Sequence, residues 1–209
     1  MRKIFIISTI AVLLSSCATT RWAELDDGPL EEPSEQEALF IRERMQDAMI
    51  LEDFNDRDVH DGIAVLGRHN TERGVVEIPG DGTWVRVNPG YTFQRVIACY
   101  RIDSDTGHVF ISTDLPEGHT DLFNDAYGDW AHNMDGTTPY TRVESSSFGQ
   151  KRTSRWIVQE MRIEGNELVF LSGDRVFGRI PLEESTGFET INIRANVGGT
   201  GELDWLVLD

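Results

Sequence analysis

The sequence predicts a single mainly β domain, an antiparallel β-sandwich, over residues 49–209. In the last quarter of the chain, five short apolar segments alternate with turns rich in Gly, Asn, Asp and Pro. They occupy residues 157–163, 168–171, 176–180, 191–195 and 203–208. Short apolar segments separated at close intervals by turn residues are typical of antiparallel sandwiches. Helices require longer runs with a period of 3.6 residues.

Residues 1–16 have the composition of a signal peptide. Arg2 and Lys3 supply positive charge, and residues 4–14 form an apolar run of eleven residues. Such a run is too short to cross a hydrocarbon core about 30 Å thick as a permanent helix. We therefore expect this segment to be cleaved from the exported protein.

The Leu-Ser-Ser-Cys sequence that ends at Cys17 resembles the lipobox of exported bacterial lipoproteins. The resemblance implies that acyl chains such as palmitate modify Cys17, which becomes the first residue of the mature protein. Several acyl chains make a stable anchor in the lipid bilayer, because each buried methylene contributes about 0.8 kcal/mol. Ala18 follows, whereas Asp at this position usually marks retention in the inner membrane of Gram-negative bacteria. We expect an outer-membrane lipoprotein of the cell envelope; the alternative is an ordinary secretory signal.

Export also limits the role of Cys99, the second of the two cysteines. With Cys17 lipidated, no disulfide can form within the mature chain. Cys99 lies in the apolar run 96–100, where a buried, unreactive thiol is more common than a nucleophile.

The charge of the chain excludes two classes of partner. The net charge is −17, and loss of Arg2 and Lys3 with the signal peptide makes it −19. A surface this acidic repels nucleic acid and anionic lipid. It also disfavours strongly anionic polysaccharides unless divalent cations bridge them, and it can attract calcium.

Two segments precede the sandwich. Residues 17–33 are acidic, contain two prolines and are too polar to pack, so we expect a flexible tether. Residues 34–48 are predicted to form an amphipathic helix, because Ser34 and Glu37 make a capping box. Apolar residues then recur at helical spacing, at Ala38, Ile41, Met45 and Ala48. We expect this apolar stripe to lie on the sandwich.

The first half of the domain contains further strand patterns. A strand is predicted at 74–78, after the acidic sequence E-D-F-N-D at 52–56. Residues 91–102 and 108–113 are predicted to be paired strands across the turn 103–107, which has favourable turn chemistry.

Several of these features resemble concanavalin A-like and laminin G-like sandwiches. They are the E-D-F-N-D opening, the strand at 74–78, the E-G-N-E-L hairpin at 164–168, the I-N-I-R-A strand at 191–195 and the closing L-D-W-L-V-L strand at 203–208. More distantly, they are similar to the 3-keto-disaccharide hydrolase group. The resemblance covers about residues 50–209 and implies an antiparallel jelly-roll β-sandwich with one short N-terminal helix.

Residues 114–154 interrupt the pattern of short apolar segments. A stretch of this length without periodic apolar residues is uncommon in a compact domain and is typical of a functional loop or a disordered segment. It contains aromatic residues suited to stacking on sugar rings and polar residues suited to binding sugar hydroxyls. The predicted carbohydrate-binding residues are Tyr127, Asp129, Trp130, Asn133, Tyr140 and Arg142. The alternative is that the aromatic residues anchor the loop by burial.

Hydrolysis of a glycosidic bond requires two suitably spaced carboxyl groups. Laminarinase-type enzymes carry E-x-D-x-x-E on one strand in the middle of the chain. Glu202 and Asp204 match the first two acids only, and they lie on the last predicted strand. The sequence also lacks the G-x-S-x-G nucleophile motif. No catalytic residue is predicted, and binding is favoured over hydrolysis.

Two metal sites are considered. Asp53 and Asp204 are predicted to meet where the first and last strands of the sandwich come together, and there they would bind structural calcium. A transition-metal site assembled from His119, Asp121 and His132 is a second hypothesis, since imidazole and carboxylate are zinc ligands. The alternative in both cases is solvated acids and histidines at turns. No other cofactor is predicted.

The sequence therefore predicts a membrane-anchored envelope lipoprotein whose sandwich binds carbohydrate without catalysis. One alternative is a glycoside-acting hydrolase of the 3-keto-disaccharide hydrolase type. The other is a structural or assembly lipoprotein that binds another envelope protein, with the stripe at Ile41 and Met45 as its contact surface.

Overall fold

The computed structural model describes most of the predicted domain. The described residues are 48–66, 68–80, 84–102, 107–116, 118–125, 128–134, 141–147, 156–173, 175–183, 187–196 and 199–209. They form fifteen strands in two antiparallel sheets and no helix. In this part of the chain, no helix is long and apolar enough to cross a membrane.

One sheet has eight strands. They are β1 (Ile50–Glu52), β3 (Arg68–Asn70), β4 (Val75–Pro79), β6 (Arg95–Ile102), β11 (Ile157–Glu164), β12 (Glu167–Ser172), β13 (Arg175–Pro181) and β15 (Thr200–Leu208). Their order is β13-β12-β11-β6-β15-β4-β3, and β1 also pairs with β15.

The other sheet has seven strands. They are β2 (Ile63–Val65), β5 (Trp84–Val87), β7 (His108–Leu115), β8 (Gly118–Asp125), β9 (Gly128–Met134), β10 (Thr141–Ser147) and β14 (Ile191–Ala195). Their order is β10-β9-β8-β7-β14-β5-β2.

The hydrophobic core lies between the two sheets. Successive side chains of a strand point to opposite faces of its sheet, so alternate residues enter the core. From the eight-stranded sheet, Val96, Ala98 and Tyr100 are fully buried there. From the seven-stranded sheet, Ile111 and Ile193 meet them. This alternation explains why the apolar segments of the sequence predict the sandwich.

The predictions for the last quarter of the chain are confirmed. The five apolar segments lie in β11, β12, β13, β14 and β15. Gly165 has a φ of 59° in the hairpin that pairs Glu164 with Glu167, a conformation that glycine adopts without steric cost. The first and last strands of the domain also meet as expected, because β1 pairs with β15.

The predicted pairing of residues 91–102 with 108–113 is wrong. β6 lies in the eight-stranded sheet between β11 and β15, whereas β7 lies in the seven-stranded sheet between β8 and β14. Favourable turn residues show that the chain reverses direction. They do not show whether it returns to the same sheet or crosses to the opposite one.

The prediction of a long loop at 114–154 is also wrong over the residues that the structure describes there. β8, β9 and β10 form consecutive antiparallel strands beside β7. Their inward positions include polar residues such as Thr120 and Asp129, which hides the apolar alternation.

The signal peptide, the tether and residues 34–47 of the predicted helix lie outside the described residues. Ala48, the last residue of the predicted helix, packs against a cluster formed by Ile97, Cys99, Trp205 and Val207.

Candidate functional site

The candidate site is the outer face of the seven-stranded sheet, the face turned away from the core. On β7, Val109 and Ile111 are buried in the core, so Phe110 and Ser112 point outward. The same alternation places Phe123 of β8 and Trp130 of β9 on the outer face. Strand pairing then aligns these residues into two parallel rows that cross the sheet.

The first row is aromatic except for one arginine. Trp130 pairs in register with Phe123, Phe123 with Phe110, Phe110 with Arg194 of β14, and Arg194 with Trp84 of β5. We call these five residues the aromatic row. The Trp130 and Phe123 rings are stacked at an interplanar angle of 13°, with centroids 6.2 Å apart. The Arg194 guanidinium lies 5.5 Å from the centroid of the Phe110 ring, within cation–π range.

Phe123 occupies the centre of an aromatic cluster. Its ring centroid lies 4.8 Å from that of His132, 5.0 Å from Phe110 and 5.8 Å from His108. Phe123 is itself buried, whereas Phe110 and Trp130 are partly exposed. The exposed aromatic surface is therefore contributed by the residues on either side of Phe123.

The second row is polar and lies two residues along each strand. His132 pairs with Asp121, Asp121 with Ser112, Ser112 with Asn192 and Asn192 with Arg86. We call these five residues the polar row. Ser112 and Asp121 are buried at its centre, while Arg86 at one end is exposed.

A hydrogen-bonded chain runs through Asp121. Ser112 Oγ donates to Asp121 Oδ1 at 2.5 Å. The same oxygen lies 3.1 Å from His119 Nε2, and His119 Nδ1 lies 2.8 Å from Asp114 Oδ1. One imidazole ring thus links a buried carboxylate to an exposed one, and both carboxylates lie on the face that carries the aromatic row.

Trp130 is the predicted carbohydrate-binding residue that the structure places most clearly on this face. Asp129 is turned the other way: it is fully buried between the sheets, where Gln159 Nε2 donates to its Oδ1 at 2.8 Å. Gln159 also receives a hydrogen bond from the Tyr100 hydroxyl. Since adjacent strand residues face opposite sides, Trp130 and Asp129 are not brought together.

For two of the remaining predicted sugar-binding residues, Arg142 and Asn133, the structure gives the position in a strand. The backbone of Arg142 pairs with His132, which puts it at the β10 end of the polar row. Asn133 pairs with Thr120 and Thr141, one position beyond the polar row. Tyr127 and Tyr140 lie outside the described residues.

The residues of the transition-metal hypothesis do gather on one face. His119 and Asp121 are in contact, and His132 pairs in register with Asp121. Within the described residues, however, no group of three or more His, Cys, Asp or Glu side chains is arranged to hold a metal ion.

Asp53 and Asp204, the residues of the calcium hypothesis, are near enough for the charge of Asp53 to act on Asp204. Asp204 is the extra residue of a β-bulge, since Leu203 and Trp205 pair with consecutive residues of β6. Burial raises the pKa of Asp204 to about 6; Arg101 opposes this, and the charges of Asp53 and Glu202 add to it. The two carboxylates therefore repel each other near the junction of β1 and β15.

The outer face of the eight-stranded sheet has a different chemistry. Glu160 is fully buried and accepts hydrogen bonds from Arg95 at 2.9 Å and Arg162 at 3.2 Å. Glu202 is held by Arg73 at 2.8 Å and by Arg101. The Arg101 guanidinium also lies 4.8 Å from the centroid of the Trp156 ring. The buried carboxylates here are neutralised by arginines of the same face.

The sequence patterns do not predict most of the aromatic row or of the polar row. The missed residues are Trp84, Arg86, Phe110, Ser112, Phe123, Asn192 and Arg194. A usable signal was present in β7, where His108, Phe110 and Ser112 alternate with Val109 and Ile111. A strand that is aliphatic on one face and aromatic or polar on the other indicates a second surface with its own role.

Solved structures with the same fold include two enzymes and a binding domain. The laminarinase from Flavobacterium sp. UMI-01 is 8% identical, with a TM-score of 0.60 over 77% of this chain and 99% of its own. The β-glucanase from Bacillus licheniformis is 7% identical, with a TM-score of 0.58 over 76% of this chain and 96% of its own. The binding domain of botulinum neurotoxin serotype D is 11% identical, with a TM-score of 0.56 over 77% of this chain and 47% of that one.

The sequence comparisons add no closer relationship. No protein-family profile matches the chain, and no curated protein sequence is similar to it. At the identities above, the structural likeness establishes the fold. The chain folds as an antiparallel, concanavalin-like jelly-roll β-sandwich.

Proposed function

We propose that this protein binds a linear carbohydrate along the outer face of the seven-stranded sheet. The observation that carries the proposal is the alignment of the aromatic row beside the polar row. Sugar rings present apolar C–H groups on their faces and hydroxyls around their edges. A ligand of this kind is matched by flat aromatic surface with polar groups next to it.

The dimensions of the face support a chain-like ligand. The aromatic row crosses five strands, so its ends are separated by about 19 Å, four spacings of about 4.8 Å. An extended oligosaccharide laid across the strands would rest on Trp130, Phe110 and Trp84 in turn. Its hydroxyls would meet the polar row, where Ser112, Asp121 and Asn192 supply donors and acceptors.

The test is calorimetric titration of the full chain in detergent with cellohexaose, laminarihexaose and xylohexaose. Saturable binding of at least one of them, lost in Trp130→Ala and retained in Trp156→Phe, is the expected result. Trp156 is the matched control because it lies against the opposite sheet. Equal loss of binding in both variants would contradict the proposed face.

A glycoside-acting hydrolase is the second candidate, favoured by the chain of contacts from Asp114 through His119 to Asp121. Glycoside hydrolysis requires two carboxyl groups about 5–9.5 Å apart, and two carboxylates linked by one imidazole ring lie on that scale. In this mechanism, buried Asp121 would protonate the leaving oxygen and Asp114 would activate water.

Product analysis separates the second candidate from the first. The same incubations are assayed for newly formed reducing ends, with the wild type and Asp121→Asn compared. Binding without release of sugar supports recognition alone. Release that Asp121→Asn abolishes, while the variant still binds, would establish the hydrolase.

We further propose that Cys17 carries acyl chains that anchor the protein in the outer membrane, facing the periplasm or the surroundings. The support is the lipobox and the acidic segment that follows it. Incubation of producing cells with an alkyne analogue of palmitate should label the wild type and leave Cys17→Ala unlabelled. Equal labelling of both would overturn the assignment, and fractionation of labelled cells tests the membrane.

A structural calcium ion between Asp53 and Asp204 is the last part of the proposal. A divalent cation would relieve the repulsion of these carboxylates, and backbone carbonyls and waters can complete its oxygen ligands. Calcium should raise the unfolding temperature of the wild type relative to EDTA, and should have no effect on Asp204→Asn. An equal response of both proteins would exclude this position.

A further inference from the structure

The β5–β14 end of the two rows carries two arginines, of which one has a long ion pair and the other has none with a described residue. Arg86 ends the polar row and Arg194 lies diagonally opposite it in the aromatic row. Cross-strand diagonal neighbours lie about 7–8 Å apart, within joint reach of long side chains. Both arginines are exposed.

Five other arginines of the described residues form close ion pairs, whereas these two do not. Arg73, Arg95, Arg101, Arg162 and Arg179 each contact a carboxylate at hydrogen-bonding distance. Arg194 approaches Asp121 only to 3.9 Å, and Arg86 has no ion pair with a described residue. In a chain of net charge −17, an exposed guanidinium without an ion pair to a described residue, with a second arginine on the neighbouring strand, offers an anion a favourable position on this face.

A polar atom between the two arginines also lacks a partner. Asn192 pairs in register with Arg86 and Ser112, two residues before Arg194 on the same strand. Its Oδ1 is buried, and no described residue donates a hydrogen bond to it. Buried side-chain acceptors are nearly always satisfied, so this atom is suited to accept from a water or from a hydroxyl of a ligand.

We propose that Arg86, Arg194 and Asn192 bind a uronic acid residue at one end of the carbohydrate. A guanidinium binds a carboxylate through paired N–H donors, and the Asn192 amide oxygen accepts from a hydroxyl of the same sugar. The inference rests on the proposed function, because the rest of the ligand lies on the aromatic row.

The opposite end of the site limits the ligand to one acidic residue. Asp121 lies on β8 and Asp114 on β7. Both are farther from Arg86 along the face than Ser112 is. A second carboxylate placed there would meet like charges, which disfavours an ionised ligand group. The net negative charge of the chain repels a polyanion further. The ligand class is therefore an otherwise neutral oligosaccharide that ends in a single uronic acid.

The test compares three tetrasaccharides by calorimetric titration of the full chain in detergent. They are laminaritetraose, the same sugar with one terminal glucose oxidised at C6 to glucuronic acid, and a tetraglucuronate; the cellotetraose series is run in parallel. We expect the singly acidic sugar to bind at least tenfold more tightly than both others. Arg86→Gln should remove that gain, so that this variant binds the acidic and the neutral sugar with affinities within twofold of each other.

Two further variants make the outcome specific. Arg57→Gln removes the same charge from an exposed position elsewhere and should leave all affinities within twofold. Arg194→Lys keeps the charge but not the paired donors, so an intermediate loss is expected. Equal affinity for neutral and acidic sugars would overturn the uronic acid site and leave the proposed function standing. Absence of binding by every sugar would overturn both.

Discussion

The two outer faces of the sandwich carry similar residue types in opposite arrangements. On the eight-stranded sheet, buried Glu160 and Glu202 are each held by two arginines, and Trp205 is buried in an apolar cluster. On the seven-stranded sheet, Trp130 is partly exposed, and Arg86 is exposed without an ion pair among the described residues. Charges satisfied within the chain stabilise the fold, whereas an exposed guanidinium and exposed aromatic surface are available to a ligand.

The comparison predicts the largest stability effect on the eight-stranded sheet. Glu160→Ala leaves Arg95 and Arg162 without their buried partner, and we expect a loss of about 3 kcal/mol in the free energy of unfolding. Urea denaturation measures it. The exposed Glu72→Ala serves as the control and should stay within about 0.5 kcal/mol of wild type. A loss below about 1 kcal/mol for Glu160→Ala would contradict the claim that the ion pairs of the eight-stranded sheet stabilise the fold.

The largest binding effect is expected on the seven-stranded sheet. Trp130→Ala removes an aromatic anchor, and truncation of such residues typically costs about 2 kcal/mol of binding energy, close to a 30-fold loss of affinity. Calorimetry is the suitable measurement, because the variant also removes a fluorescent reporter. Unchanged affinity in a correctly folded Trp130→Ala protein would show that the aromatic row has no part in binding.

A smaller effect, dependent on pH, is expected at Asp204. Its folded pKa of about 6 lies above its usual value of 3.8, so the folded state binds this proton more tightly than the unfolded chain. The carboxylate therefore destabilises the fold above pH 6, and the penalty disappears as the pH falls towards 4. After allowance for solvent screening, Asp204→Asn should be about 1 kcal/mol more stable than wild type at pH 8.

The comparison for Asp204→Asn is made by urea denaturation at pH 8 and pH 4, without added metal. The two proteins should have equal stability at pH 4. If the asparagine variant were less stable than wild type at pH 8, the carboxylate would be stabilising, and the attraction of Arg101 would outweigh the cost of its burial.

The smallest effect is expected at Asp114. Its side chain is 85% exposed, and its contact with His119 is of the surface type, which contributes about 0–1 kcal/mol. Asp114→Asn should lower the free energy of unfolding by less than about 0.5 kcal/mol. A loss as large as that of Glu160→Ala would show that the seven-stranded face is also a structural network.

The fold was predictable because many strands are short apolar segments bounded by turn residues. β12 and β15 show this pattern, and the turn before β12 contains Gly165, which is suited to a reversal of the chain. β9 is different: Asp129 points into the core, where its hydrogen bond with Gln159 of β11 makes burial acceptable. A polar residue satisfied by a distant strand cannot be distinguished in the sequence from a residue in a loop.

The candidate site was predictable only in part, at Trp130 of the aromatic row and at Asp121 and His132 of the polar row. The aromatic row joins residues from five strands, and its neighbours Trp84 and Arg194 are far apart in the chain. Their alignment depends on the order and register of the strands, which local patterns do not fix. The prediction that β6 pairs with β7 shows the same limit, because the two strands belong to different sheets.

The most direct test of the central claim uses the four tryptophans of the described residues. Trp84 and Trp130 lie on the outer face of the seven-stranded sheet, whereas Trp156 and Trp205 lie on that of the eight-stranded sheet. Their indole N–H signals in a nitrogen-15 NMR spectrum are followed while the singly acidic tetrasaccharide is added. Shifts confined to Trp84 and Trp130 are the predicted result. Shifts confined to Trp156 and Trp205 would place the ligand on the opposite face and contradict the account.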